Sequence, residues 1–126
     1  MNSPPPYIEL HAHSAFSFLD GASTPLELAG AAAELGYPAL ALTDHDGIWG
    51  SMEFAHCAAG LGLRPITGAE LTLRLPNPEV DGPKTGLSDG FSAHQHLTLL
   101  VEDARGYRNL CRLLTLAHSQ DRKSVV

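Results

Sequence analysis

Apolar and polar side chains alternate from Tyr7 to His11, after a proline-rich lead-in at Pro4 to Pro6, and this two-residue period predicts a short strand. A loop follows through Ser14 to Ala22. Thr24-Pro25-Leu26-Glu27 then has the form of a helix start: Thr24 is the cap, Pro25 takes the first helical position, and Glu27 can reach back to the cap amide. That helix is expected to end at Gly36. Ala39 to Thr43 is a continuous apolar run of strand length, the pattern of a parallel strand covered on both faces. A second helix is predicted over Ser51 to Leu61 with Gly62 closing it in the left-handed region, then a strand from Ile66 to Leu75. From Pro76 to Ala93 the Pro, Gly, Asp and Ser content rises and periodicity vanishes, predicting a long loop. A fourth strand is expected from His96 to Val101, and a last helix capped by Asp103 runs to about His118.

The resulting order, β-α-β-α-β-β-α, predicts an α/β protein whose strands are mainly parallel, in a sheet either open or curled into a barrel. Such folds place their chemistry at the carboxyl ends of the strands. Here the ligand-type side chains recur at those places. His11 and His13 end the first strand, Asp20 follows in the loop, His45 comes just after the second strand, Glu70 lies in the third, and His96 begins the fourth.

His11-Ala12-His13 puts two imidazoles on the same side of an extended backbone. With Asp20, His45, Glu70 and His96 they form a mixed nitrogen and oxygen set, which suits Zn²⁺ or Mn²⁺ better than Ca²⁺ or an iron–sulfur cluster. Six donors exceed the four of a structural zinc site, so a cluster of two or three metals with bridging carboxylates is the natural reading. Such clusters act on phosphoesters. Ordinary roles compete at each position. A lone H-x-H is common, Glu70 reads equally well as an exposed strand carboxylate, and Asp44 and Asp46 serve as turn formers, Asp44 also as a group behind the ligands that orients an imidazole. His94 reads as a solvated loop residue. His56, His118, Cys57 and Cys111 fall on helices away from the strand ends and read as packing or surface residues, and Trp49 as a core or loop anchor.

Composition narrows the classes. The chain has 126 residues, enough for one modest core. Its net charge of −6 argues against holding a DNA backbone unaided. Two distant cysteines make no disulfide framework and fit a reducing cytoplasm. No window approaches the roughly 18 apolar residues of a membrane span, so no membrane association is expected.

Together, Leu10-His11-Ala12-His13-Ser14 and Thr43-Asp44-His45-Asp46 resemble the PHP (polymerase and histidinol phosphatase) superfamily. The stretches Phe16 to Ser23, Ala39 to Gly47, Thr67 to Leu71, His96 to Val101 and Gly106 to Leu113 look like the amino-terminal PHP domain of C-family bacterial DNA polymerases, the replicative alpha-subunit family. The first motif and Gly68-Ala69-Glu70-Leu71 are most similar to its error-prone branch. The resemblance implies a partial PHP-type (β/α) barrel, with residues 1–120 the N-terminal portion of the domain and 121–126 a tail foreign to it. Carried over by position, the family's metal ligands fall on His11, His13, Asp20, His45, Glu70 and His96. The remaining ligands, the rest of the barrel and the polymerase modules are expected beyond Val126, which leaves this chain's barrel truncated before closure.

The function so implied is the metal-binding segment of an error-prone DNA-directed DNA polymerase serving replication and repair synthesis, with phosphoesterase or 3′-5′ exonuclease chemistry in the complete domain. DNA and deoxynucleotides would be bound through polymerase regions outside the chain, with Mg²⁺ at the polymerase site there and other replication or repair proteins as partners. The fragment alone should not polymerise DNA. A free-standing phosphoesterase of histidinol-phosphatase type and a purely structural metal domain are the competing readings. The segment Gly106 to Leu113 favours the polymerase branch, since phosphatase chemistry makes no demand for it.

Overall fold

A computed structural model describes residues 6–74 and 94–121. The elements are β1 (Glu9–Ala12), α1 (Pro25–Glu34), β2 (Ala39–Leu42), α2 (Ser51–Gly60), β3 (Arg64–Arg74), β4 (His94–Leu100) and α3 (Ala104–Asp121). The expected loop 76–93 and all but the first residue of the tail 121–126 lie outside the described residues. His94, expected in the loop, instead begins β4.

The four strands form one curled sheet in the order β1-β2-β3-β4. β1 and β2 are parallel, as are β2 and β3, while β4 runs antiparallel to β3. β2 is buried along its whole length, as its apolar run predicts. Leu40 and Leu42 face α1 and α2, joining Ala29, Ala32, Phe54, Ala58 and Leu63 in one core cluster. Leu42 pairs with Thr67 on β3, and two residues further along the same face Ala69 and then Leu71 pack against Leu110 and Leu114 of α3. All three helices therefore cover one face of the sheet. The alternation of a strand sends Glu70 to the opposite face.

The pairing of β1 with β2 shifts register between Glu9 and Ala12. Ala12 packs toward the helix-side core, so its neighbours His11 and His13 go to the face that carries Glu70. A bulge of this kind re-aims side chains at the end of a strand.

Helix α1 begins with the capping box read from the sequence. The Glu27 amide donates to Thr24 Oγ1 at 3.3 Å and the Thr24 amide donates to Glu27 Oε2 at 2.7 Å. Gly36 and Gly62 adopt φ of 73° and 71° just past α1 and α2, a left-handed closure that glycine takes without a Cβ clash. Asp103 caps α3, accepting from the Gly106 amide at 2.7 Å. The Thr24 amide and hydroxyl hold the Glu27 carboxyl below its usual range. The folded value lies below the unfolded one, so the bond stabilises α1 above the unfolded carboxyl range and is lost as pH falls through the folded value. Thr24→Ala is expected to cost about 1 kcal/mol at neutral pH. Urea melts at neutral and acid pH check this, and the deficit should shrink in acid; a deficit that grows there would contradict the capping account.

Candidate metal centre

Six donor side chains from five segments meet at the carboxyl end of β1 to β3. His11 lies in β1 and His13 just beyond it. Asp20 is held by a tight loop in which the Asp20 and Gly21 amides both donate to the Ser17 carbonyl, at 3.0 and 2.9 Å. A Cβ at Gly21 would stand 1.9 Å from the Ser14 carbonyl oxygen, so the loop closes only over a glycine. His45 follows β2, and its backbone continues the sheet: the Glu70 amide donates to the Asp44 carbonyl at 3.0 Å and the Asp46 amide to the Glu70 carbonyl at 2.8 Å. His96 lies near the start of β4. Because β4 is antiparallel, its beginning stands beside the end of β3, where His96 pairs with Thr72.

Glu70 is the hub. It is only 5% exposed, and imidazoles approach both of its oxygens. Oε2 meets Nε2 of His11 in a very short contact and Nε2 of His13 at 3.0 Å. Oε1 meets Nδ1 of His96 at 2.9 Å and Nδ1 of His45 at 3.8 Å. Asp20 Oδ2 touches Nδ1 of His13 closely and Nε2 of His45 at 3.0 Å. The four rings form an arc, with centroids 4.9 Å apart for His11 and His13, 4.3 Å for His13 and His45, and 5.3 Å for His45 and His96.

Burial works against ionisation of Glu70, but its bonds to His11 and His13 outweigh this and hold its carboxyl below the usual range. The Asp20 carboxyl is likewise held low, by His45 first and then His13. Both stay anionic at neutral pH. A buried carboxylate ringed by four imidazoles matches the donor chemistry of a divalent metal. The donor atoms fall into three overlapping groups, His11/His13/Glu70, His13/Asp20/His45 and His45/Glu70/His96, each within 4.8 Å. Glu70 has one oxygen toward each of two imidazole pairs, so both of its oxygens would be available as donors to divalent metal.

Asp44 behaves differently from the expectation. Its buried carboxylate meets no imidazole among the described residues. It accepts from the Ser14 amide at 2.7 Å, from Ser14 Oγ and Ser17 Oγ at 2.9 and 2.8 Å, and from the Gly50 amide at 3.3 Å. Ser17 Oγ in turn accepts from the His45 amide at 3.0 Å. Asp44 thus clamps the loop that carries Asp20 to the turn that carries His45 through backbone and serines. Asp46, at φ 51°, completes the turn by accepting from the Thr72 amide at 2.7 Å and the Thr72 hydroxyl at 2.8 Å.

His118, read as a packing or surface residue, has a larger part. Its Nε2 lies 2.7 Å from the Asp46 carbonyl and its ring packs on Trp49, whose indole N–H donates to the His45 carbonyl at 3.2 Å. α3 thereby braces the turn behind His45. Trp49 is a loop anchor, 57% exposed and outside the core. A cavity of about 1070 Å³, lined by Trp49, Met52, Tyr107, Leu114 and His118, opens on the helix side of the sheet and shares none of the six donors.

A fold of this kind, with imidazoles and carboxylates at the strand ends, defines a metal-dependent hydrolase-type domain, and residues 9–125 match the PHP domain family. The chain belongs to that family. It is 51% identical over 116 residues to the error-prone DNA polymerase of Mycobacterium tuberculosis, covering 89% of this chain and 10% of that protein. It is also 45% identical over 113 residues to the error-prone DNA polymerase of Cutibacterium acnes, covering 90% of this chain and 9% of that protein. The chain therefore spans about a tenth of the length of these curated relatives. Among solved structures it is similar to an amidohydrolase from Chromobacterium violaceum with bound sulfate and no metal, at TM-score 0.58 and 32% identity over 86% of this chain and 32% of that one. It is also similar to a protein from Bifidobacterium adolescentis described as a metal-dependent phosphoesterase, at TM-score 0.51 and 34% identity over 56% of this chain and 24% of that one. Membership of this family implies divalent metal binding. No helix among the described residues is long and apolar enough to cross a membrane.

Proposed function

We propose that this chain is the metal-binding PHP segment of an error-prone DNA polymerase, and that His11, His13, Asp20, His45, Glu70 and His96 hold its ions, Zn²⁺ or Mn²⁺. The observation that carries the reading is Glu70, buried and met on each oxygen by imidazoles from different strands. The donor set is nitrogen-rich with two carboxylates, which favours those two metals over Ca²⁺ or Mg²⁺. On this reading DNA and deoxynucleotides engage the parent through regions outside this chain, as do other replication or repair proteins. Nucleotidyl transfer, with its Mg²⁺, belongs there too. The parent is placed in the cytoplasm, which the two free, half-buried cysteines fit.

In the complete domain the site serves phosphoester hydrolysis of the 3′-5′ exonuclease type. Divalent metal supplies Lewis-acid polarisation of the phosphoester and eases deprotonation of water. The chain's own residues set the geometry. Glu70 and His13 form the inner wall, with side-chain exposures of 7% and 16%, while His11 and His96, at 51% and 46%, stand at the rim where a substrate enters. Asp20 fixes the rings of His13 and His45 through the nitrogens that face away from Glu70, or takes a further ion itself. Relatives half identical over most of the chain favour the polymerase parent over a free-standing phosphatase.

Elemental analysis of the dialysed chain tests the reading. Bound zinc or manganese is expected, and both His11→Ala and His45→Ala should release it. Retention of metal in both variants would remove these residues from the site.

A further inference from the structure

Position 46 carries the wrong residue for its backbone if a turn is all it makes. Asp46 has φ 51°, in the left-handed region, which glycine enters freely and aspartate or asparagine enter at some cost. The next residue shows that glycine is used in this turn where sterics require it: a Cβ at Gly47 would stand 2.2 Å from Trp49 Cε2. Aspartate at 46 is explained by its carboxylate, which takes both donors of Thr72, the amide on Oδ1 at 2.7 Å and the hydroxyl on Oδ2 at 2.8 Å. Its main chain is engaged as well. The Asp46 amide donates to the Glu70 carbonyl at 2.8 Å, and the Asp46 carbonyl accepts from Nε2 of His118 at 2.7 Å. One residue thus ties the turn after β2 to β3 and to α3.

These ties converge on one of the three donor groups. His45 precedes Asp46 in the chain and is bridged to Glu70. Thr72 lies two residues beyond Glu70 on the same face of β3, and its partner across the sheet is His96. His45, Glu70 and His96 form the group in which both imidazoles address Oε1 of Glu70, at 3.8 and 2.9 Å. Asp44 serves the other side, accepting from Ser14, next to His13, and from Ser17 in the loop that carries Asp20. The two aspartates that flank His45 therefore pull in opposite directions, one toward β1 and its loop, the other toward β3 and β4.

We infer that Asp46 is a positioning residue of the metal centre: through Thr72 it sets the distance between His45 and the β3–β4 pair that carries Glu70 and His96. The inference rests on the metal-binding reading above and adds to it a residue outside the six donors. Asp46 acts on an ion only through the residues it holds, as groups behind a metal ligand do.

The test is the Zn²⁺ affinity of the whole chain, by competition with a chromophoric chelator, at a temperature where circular dichroism shows each variant folded before metal is added. Asp46→Gly is the telling change, because it suits φ 51° better than aspartate and deletes the carboxylate. It should weaken Zn²⁺ binding roughly tenfold or more and shift the visible absorption of the Co²⁺-loaded chain, which reports ligand geometry. Asp46→Asn keeps an acceptor for the Thr72 amide and can donate to its hydroxyl, so it should retain most of the affinity. Unaltered Zn²⁺ affinity and Co²⁺ spectrum in the glycine variant would overturn the inference, leave Asp46 a turn former and spare the metal-binding reading. Equal losses in the glycine and asparagine variants would also overturn it, since charge near the ion rather than the clamp would then be at work. No Zn²⁺ bound by the unsubstituted chain would overturn the reading and the inference together. Where Asp46→Gly does not fold, Thr72→Val decides: it removes the hydroxyl contact and leaves the turn intact, with a loss of roughly threefold or more expected, and unaltered affinity overturns the inference.

Discussion

Replacing Asp44 with alanine is expected to destabilise the chain by about 3 kcal/mol or more, since each buried donor left without its acceptor costs about 1–3 kcal/mol. Typical domain stabilities are about 5–15 kcal/mol, so the variant should be largely unfolded at physiological temperature. The cause is the number of groups orphaned at once. The Ser14 amide, Ser14 Oγ, Ser17 Oγ and the Gly50 amide all donate to this one carboxylate, which is 1% exposed. Alanine leaves those donors buried without a partner and opens a void beside Leu42 and Pro25, whose side chains approach Gly50 next to the carboxylate. Urea denaturation followed by circular dichroism measures the effect, and a loss below about 1 kcal/mol would show that water or side-chain rearrangement satisfies the serines.

The second large effect is expected at Glu70. Glu70→Gln keeps the volume of the side chain and removes its charge and one of its two acceptor oxygens. Substituting a group that merely orients a metal ligand weakens affinity by about 10–100-fold. Glu70 faces His11 and His13 on one oxygen and His96 and His45 on the other, so its loss should exceed about 100-fold for Zn²⁺ or Mn²⁺. Competition titration against a chelator reads this directly. Unaltered affinity would mean that the imidazoles hold metal without the carboxylate, and the central place given to Glu70 would be wrong.

Much of the layout was legible before any coordinates. Thr24, Pro25 and Glu27 make a local signal, because a capping box is satisfied by neighbours in sequence. The apolar run of β2 and the closing glycines Gly36 and Gly62 are local in the same way. The meeting of His11, His13, Asp20, His45, Glu70 and His96 was expected from their recurrence at strand ends and from family resemblance. What escaped was long-range. Nothing beside Asp44 in sequence says that its partners are serines 30 and 27 residues away, so an imidazole was the expected contact. Glu70 reads in sequence equally as a ligand or as an exposed carboxylate, because the strand alternation does not say which face the helices will cover. The direction of β4 was open too, and it alone explains how a residue at the beginning of a strand joins a site at the ends of three others. His118 gave no signal, since the carbonyl it meets lies 72 residues earlier.

The spacing of the donors along the chain has a consequence for how the molecule comes apart. His11 and Glu70 are 59 residues apart in sequence, His13 and Glu70 57, and His45 and Asp20 25. An ion shared among them would act as a cross-link closing several long loops at once, removing entropy from the unfolded ensemble much as a set of disulfides would. Among the described residues β1 is an edge strand of only four residues, the element most prone to peel away, and the ion would tie it to the interior strand β3. With an ion bound there, loss of the first strand should be slow and should coincide with metal release, so that ion supply would govern the lifetime of the folded form.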